Sequence, residues 1–262
     1  NEKLVQCVLP KSVADTLRLN PERIWDHISD GCAAFIHVVG FNDECFTYHN
    51  LRPALRLLND LFTEFDELCQ QLDCDKIKSI NDTFFVVTGL RRPSSSLSLS
   101  TTRNSNSSNG SCYTNDEHEG VNDSAVKMAN LLIEMRKASE RIFAEHRPQL
   151  KNSTGIGIKI GAAQGPIISG VVGDDKFLYD CFGTTINEAS RMMTTSVTNK
   201  IQISAKLKAS LEEKLRPSNN SSNTFKIQNR NDTVYAKGIG EIHTYFLEEY
   251  QALQLPPSSS TS

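Results

Sequence analysis

The sequence predicts an α/β (α+β) fold of ferredoxin-like type, with a central, mostly antiparallel sheet flanked by helices. Three observations predict it. From Gly31 to Gly40, GCAAFIHVVG is a continuous apolar run of strand length ending at Gly, the pattern of a strand covered on both faces. Leu51, Leu55, Leu58, Phe62, Phe65 and Leu68 then recur at helical spacing and make the apolar stripe of an amphipathic helix. Cys74 to Ile80 and Phe84 to Gly89 read as two strands joined at Asn81-Asp82, a dipeptide suited to a tight turn. Strand, helix, hairpin is half of a ferredoxin-like unit.

The remaining elements follow in order. Leu4, Val5, Val8 and Leu9 sit at helical spacing ahead of Pro10, so residues 1–30 are expected to form a helical lead-in. Residues 31–250 are expected to form the main domain, interrupted at 91–120 by a Ser- and Asn-rich insertion too polar to bury and therefore expected to be disordered. Helical periodicity resumes from Val126 to Phe143. Gly155 to Gly173 reads as a second hairpin turning at Gln164-Gly165-Pro166, its glycines serving close backbone packing. Beyond it come a strand at Lys200 to Ile203, a helix at Ala205 to Leu215, a polar loop at Pro217 to Thr224, and terminal strands around Val234 and from Thr244 to Leu247. The tail, 251–262, is expected to be disordered.

Composition excludes several classes. The formal net charge of −3 gives no field to attract nucleic acid or an anionic membrane. An RNA-binding module would need exposed aromatics in a basic surround, and the sequence shows neither. No apolar run approaches the ~18 residues of a spanning helix. The seven Cys contain no C-x-x-C pair, so neither a disulfide framework nor a zinc site is indicated, and a reducing cytoplasm is the simpler home.

The polar chemistry concentrates in Tyr179 to Arg191, YDCFGTTINEASR. Phe182-Gly183 reads as a turn, and Thr184 or Thr185 as the N-cap of a helix carrying Asn187 and Arg191. These two are four residues apart and share one helix face, an amide beside a guanidinium, a pair suited to a ribose and a charged phosphoryl group. On spacing alone, a solvent-facing helix with an ordinary Asn and Arg is the commoner case.

The stretch resembles the signature of the class III nucleotidyl cyclases, and the resemblance runs from Leu9-Pro10 to the TYFLEEY around Tyr245. It implies a class III cyclase fold whose active site forms between two paired domains. One partner holds two Mg²⁺ or Mn²⁺ ions through two aspartates, and the other reads the base and binds the phosphates. The second set is the one present here. KIKSINDTFFVVTG places Lys78 at the purine-specifying position, with Asp180 as the other purine contact. Lys as donor and Asp as acceptor suit adenine, and guanylyl relatives place Glu where Lys78 stands. The resemblance gives Asn187 the ribose, Arg191 the charge developing on the α phosphate, and, through AKGIGEIHTYFL, Lys237 the triphosphate.

The metal set departs from the pattern. The family's F-A-D-I-V-G-F reads F-I-H-V-V-G-F, which puts His37 where the first metal aspartate belongs. Asp82 aligns with the second metal aspartate, as a remnant ligand or simply a turn residue, and Asn81 precedes it where the family has Gly. Neutral imidazole does not replace a hard bridging carboxylate on Mg²⁺. This combination resembles that of the second catalytic half of a membrane adenylyl cyclase. It implies ATP as substrate, a metal-bearing cyclase domain as partner in a heterodimer or a homodimer, G-protein subunits as candidate regulators, and a cytoplasmic place within a larger membrane protein. The rivals are a catalytically silent pseudo-cyclase that regulates a relative, and a guanylyl cyclase-type domain.

Overall fold

A computed structural model describes residues 25–41, 51–90, 121–149, 155–172, 178–215, 225–238 and 240–250. The expected insertion at 91–120, the polar loop at 217–224, the tail, and residues 1–24 of the expected lead-in lie outside them.

In chain order the elements are β1 (Trp25–Val39), α1 (Leu51–Gln71), β2 (Asp75–Ile80), β3 (Thr83–Thr88), α2 (Val121–His146), β4 (Gly157–Val172), β5 (Leu178–Phe182), α3 (Thr184–Thr195), β6 (Ile201–Ile203), α4 (Ala205–Leu215), β7 (Phe225–Asn229), β8 (Val234–Ala236), β9 (Gly240–Ile242) and β10 (Tyr245–Glu249). Eight strands form one sheet in the order β2-β3-β1-β4-β6-β10-β7, with β5 added along β4, while β8 and β9 make a separate two-stranded ribbon. Every pairing is antiparallel except β4 with β6. The α+β expectation holds, with a central and mostly antiparallel sheet.

Side chains alternate across the strands, and each face carries its own core. On one face Cys32, Ala34, Ile36 and Val38 of β1, Phe84 and Val86 of β3, and Ile158, Ile160 and Ala162 of β4 pack under α1, α2 and α4. On the other, Ala33, Phe85, Val87, Ala163 and Ile167 pack against Tyr179 and Cys181 of β5 and Ala189 of α3. Complete burial of a Leu, Ile or Phe contributes roughly 1.5–3 kcal/mol, so the larger cluster dominates stability and the smaller one seats α3.

Three expectations change. First, β1 begins at Trp25, inside the stretch expected as lead-in. Second, the apolar stripe of α1 is rotated: Ala54, Leu57, Leu61, Phe65 and Cys69 are buried, whereas Leu51 and Leu55 are exposed. Two adjacent apolar rows run along this helix, and spacing does not say which one meets the sheet.

Third, Gly157–Val172 is one continuous strand and not a hairpin. The register explains why Pro166 is tolerated. Ile167 pairs with Ile28 and Gly165 with Gly31, so β1 bulges where Pro166 offers no N–H to the ladder. The glycines do serve close packing. A Cβ on Gly161 would fall on the backbone of Met192 and Met193, and one on Gly165 would lie 2.5 Å from Thr185 Oγ1. α3 therefore lies directly on β4. Strands β5 and β7, short and weakly patterned, are additions that periodicity alone did not reveal.

Candidate active site

The local sequence around Asp180 makes a strand with two dissimilar faces. Tyr179 and Cys181 point into the core beside α3, and Leu178, Asp180 and Phe182 occupy the opposite face. Burial pushes the Cys181 thiol up to about 12, and the neighbouring Asp180 charge adds to the shift. The thiolate is the reactive form, so Cys181 in the native protein is expected to resist alkylation at pH 8. Mass spectrometry after iodoacetamide labelling, with and without denaturant, checks this.

Lys78 reaches Asp180 from the neighbouring hairpin. In β2 the register slips between Lys76, opposite Val86, and Lys78, opposite Phe85. A bulge of this kind re-aims the side chain that follows it. Lys78 Nζ donates to Asp180 Oδ2 at 2.5 Å, while Asp180 Oδ1 accepts the Cys181 N–H at 2.9 Å. The two side chains are 28% and 16% exposed, so the pair is partly buried yet remains reachable. The two residues expected to read the purine, 102 positions apart in sequence, are thus brought into contact.

Asn187 and Arg191 stand one turn apart on α3. Thr185, Ala189 and Met192 form its buried side, so helical geometry turns Asn187 and Arg191 away from the sheet. Asn187 is exposed and Arg191 half-buried. The expected Thr cap is replaced: Gly183 occupies the N-cap position with φ 133°, without a side-chain cap, and Thr185 Oγ1 donates instead to the Pro166 carbonyl at 2.8 Å. Lys237 is exposed at the β8–β9 turn, and β8 lies against α3. Among the described residues, no hydrogen bond or ion pair joins the side chains of Asn187, Arg191 or Lys237 to one another or to the Lys78–Asp180 pair. One chain therefore presents the paired Lys78 and Asp180 and a separate set of outward-facing polar groups.

The position expected to hold metal is different in kind. His37 is half-buried, with Nδ1 3.3 Å from Asp82 Oδ1 and 3.2 Å from Thr83 Oγ1. Asp82 is a buried residue of the β2–β3 turn, its carbonyl accepting the Val38 N–H at 2.9 Å. Among the described residues no three His, Cys, Asp or Glu side chains group as a metal site. An imidazole occupied by one carboxylate does not make a two-Mg²⁺ cage, so His37 and Asp82 do not fit the two ions by themselves.

Sequence reasoning missed an apolar surface. In the antiparallel ladders Ile168 faces Phe182, Val172 faces Leu178, and Gly170 faces Asp180 on one side and Trp25 on the other. Directly opposed residues share a face. Trp25, Ile168, Val172, Leu178 and Phe182 are all exposed there and surround Asp180. The hairpin reading of Gly155 to Gly173 hid this surface, because it placed the second half of β4 on a different strand.

The chain matches known proteins over nearly its whole length. The family model for the adenylate and guanylate cyclase catalytic domain matches residues 26–249. An adenylate cyclase of Mycobacterium bovis is 28% identical over 253 residues, covering 94% of this chain and 46% of that protein. The guanylate cyclase soluble subunit beta-2 of Rattus norvegicus is 27% identical over 248 residues, covering 94% of this chain and 30% of that protein. The chain thus spans less than half the length of these curated relatives. In structure it is similar to the adenylyl cyclase CyaB from P. aeruginosa, with a TM-score of 0.67, 17% identity, and coverage of 87% of this chain and 97% of that one. A guanylate cyclase domain from Catenaria anguillulae, solved with GTP, gives a TM-score of 0.57 at 21% identity, covering 86% and 100%. With the family matched from the start of β1 to the end of β10, the chain belongs to the class III adenylate and guanylate cyclase catalytic domains.

Proposed function

We propose that this domain is the base-reading and charge-stabilising half of an adenylyl cyclase, converting ATP to 3′,5′-cyclic AMP and pyrophosphate at an interface with a second, metal-bearing cyclase domain. The Lys78–Asp180 contact carries the reading. Adenine accepts at N1 and donates from its 6-amino group, so an ammonium beside a carboxylate matches its edge, whereas guanine presents the inverse pattern. In the reaction the ribose 3′ oxygen attacks the α phosphorus, the bond to the β-phosphate oxygen breaks, pyrophosphate leaves, and the hydroxyl proton is released. Asn187 orients the ribose, Arg191 stabilises charge on the five-coordinate α phosphate, and Lys237 binds the departing phosphates.

The need for a partner is supported by two observations. His37 and Asp82 form no two-metal cage, which supports a mate that holds the Mg²⁺ or Mn²⁺ ions. The apolar side chains around Asp180 offer a surface for it, since contiguous apolar patches of this kind mark interaction sites. The same reading keeps the domain on the cytoplasmic side of a larger membrane protein, supported by the resemblance of the chain to the second catalytic half of membrane adenylyl cyclases. No described helix is long and apolar enough to cross a membrane.

The His37–Asp82 pair also favours a second reading, a silent partner that regulates a relative. Mixing the purified domain with an active first half and Mn²⁺ separates the two. A catalytic half raises cyclic AMP formation well above that of the first half alone, and Phe182→Asp in the apolar face abolishes the gain. No increase on mixing would leave the silent partner as the better account.

A further inference from the structure

Arg230 lies between the helix bearing Arg191 and the ribbon bearing Lys237, and outside the motifs quoted for the family. It follows β7, and its side chain is only 12% exposed. Its Nη1 donates at 2.6 Å to the carbonyl of Thr195, the last residue of α3, and at 2.6 Å to Gln202 Oε1. Gln202 is fully buried and donates through Nε2 to Thr195 Oγ1 at 2.8 Å, and Thr195 Oγ1 in turn donates to the Arg191 carbonyl at 2.7 Å. The last turn of α3 is thereby fixed through the backbone of Arg191 itself. A helix C-terminus leaves carbonyls without intrahelical partners and carries partial negative charge, so a guanidinium there satisfies both.

The other side of the guanidinium holds a different segment. Nε donates to both carboxylate oxygens of Asp232, at 3.0 and 3.1 Å, and Nη2 donates to Oδ2 at 2.7 Å. Asp232 lies two residues before β8, the strand that leads to Lys237. The fork also lies over the Phe246 ring, 5.6 Å from its centroid, which restricts its rotation. One planar cation thus joins the end of the helix bearing Arg191 to the start of the ribbon bearing Lys237.

We propose that Arg230 is a positioning residue that sets the distance between Arg191 and Lys237 so that both engage one phosphate chain, an inference that rests on the phosphate roles given to those two residues above. Arg is required, because a Lys ammonium cannot donate to a helix terminus and chelate a carboxylate with one rigid plane.

The test is a double-mutant cycle on the full chain paired with its metal-bearing half. Asp232→Asn keeps the contacts of Arg230 to α3 and weakens its hold on the ribbon, and it is expected to raise KM for ATP about 5-fold with little change in kcat. Arg230→Met frees both segments and is expected to lower kcat about 10-fold as well, and Arg230→Lys fails to restore it. In a Lys237→Ala background the Asp232→Asn effect should shrink below about 2-fold, because the residue it positions is gone. Independent multiplication of the two effects, or an unchanged KM in Asp232→Asn, overturns the proposal. Should Arg230→Met not fold, Asp232→Asn still decides, its side chain being 66% exposed. Failure of the underlying function looks different: Lys237→Ala and Arg191→Ala would then themselves leave turnover unchanged, which a failed clamp alone would not produce.

Discussion

Exchanging Lys78 for Glu and Asp180 for Cys together is expected to lower kcat/KM for ATP by on the order of 10²-fold or more and to raise turnover of GTP above that of the parent. The inversion follows from the contact seen here, Nζ to carboxylate at 2.5 Å. A Glu at 78 accepts from the N1 and 2-amino donors of guanine, and a thiol at 180 donates weakly to its O6, whereas both clash electrostatically with the adenine edge. The double exchange matters because Lys78→Glu alone would set two carboxylates against each other in a partly buried position, costing stability as well as specificity. Steady-state rates with both nucleotides, in the assembled pair, check the prediction. Undiminished use of ATP would mean that these two side chains do not read the base.

Gly161→Val is expected to be the most damaging single substitution outside Lys78 and Asp180. A side chain there meets the backbone nitrogen of Met193 and the backbone carbon of Met192, neither of which can rotate away. Overpacking against a side chain costs typically ~1–3 kcal/mol, and against a helix backbone the cost should exceed that, either unfolding the domain or lifting α3 from β4. Either outcome removes Arg191 from its place. Gly165→Ala serves as the internal comparison, since its added methyl meets the hydroxyl of Thr185, a side chain able to shift at the expense of one hydrogen bond to Pro166. Urea unfolding midpoints should fall in the order parent, Gly165→Ala, Gly161→Val. An unchanged midpoint for Gly161→Val would show that the helix does not sit on the strand as described.

Much of this was legible in the sequence, and the failures have physical causes. The β2–β3 hairpin, α2 and α4 announced themselves because period and turn chemistry agree with the final packing, and α1 through its period alone. Pro166 misled because a proline inside a strand needs a bulge opposite it, and the bulge at Ser29-Asp30 lies on a different strand, far away in sequence. The rotated stripe of α1 reflects two apolar rows of similar width, between which only the sheet chooses. At the site, motif order brought Lys78 and Asp180 to notice, yet their contact is a matter of tertiary register. Arg230 escaped attention because its partners, Thr195, Gln202 and Asp232, carry no periodic or motif signal. The apolar side chains around Asp180 were scattered across three segments that only the β1–β4–β5 ladders assemble.

The mutual contact of Lys78 and Asp180 has one more consequence. If the pair reads the base as proposed, its donor and acceptor already satisfy each other, and a base must trade that bond for new ones. On that reading, net attraction for the matching purine is modest, while a mismatched purine forfeits the Lys78–Asp180 bond and leaves both groups unmatched. A pair of that kind would be a poor store of nucleotide and a good judge of it.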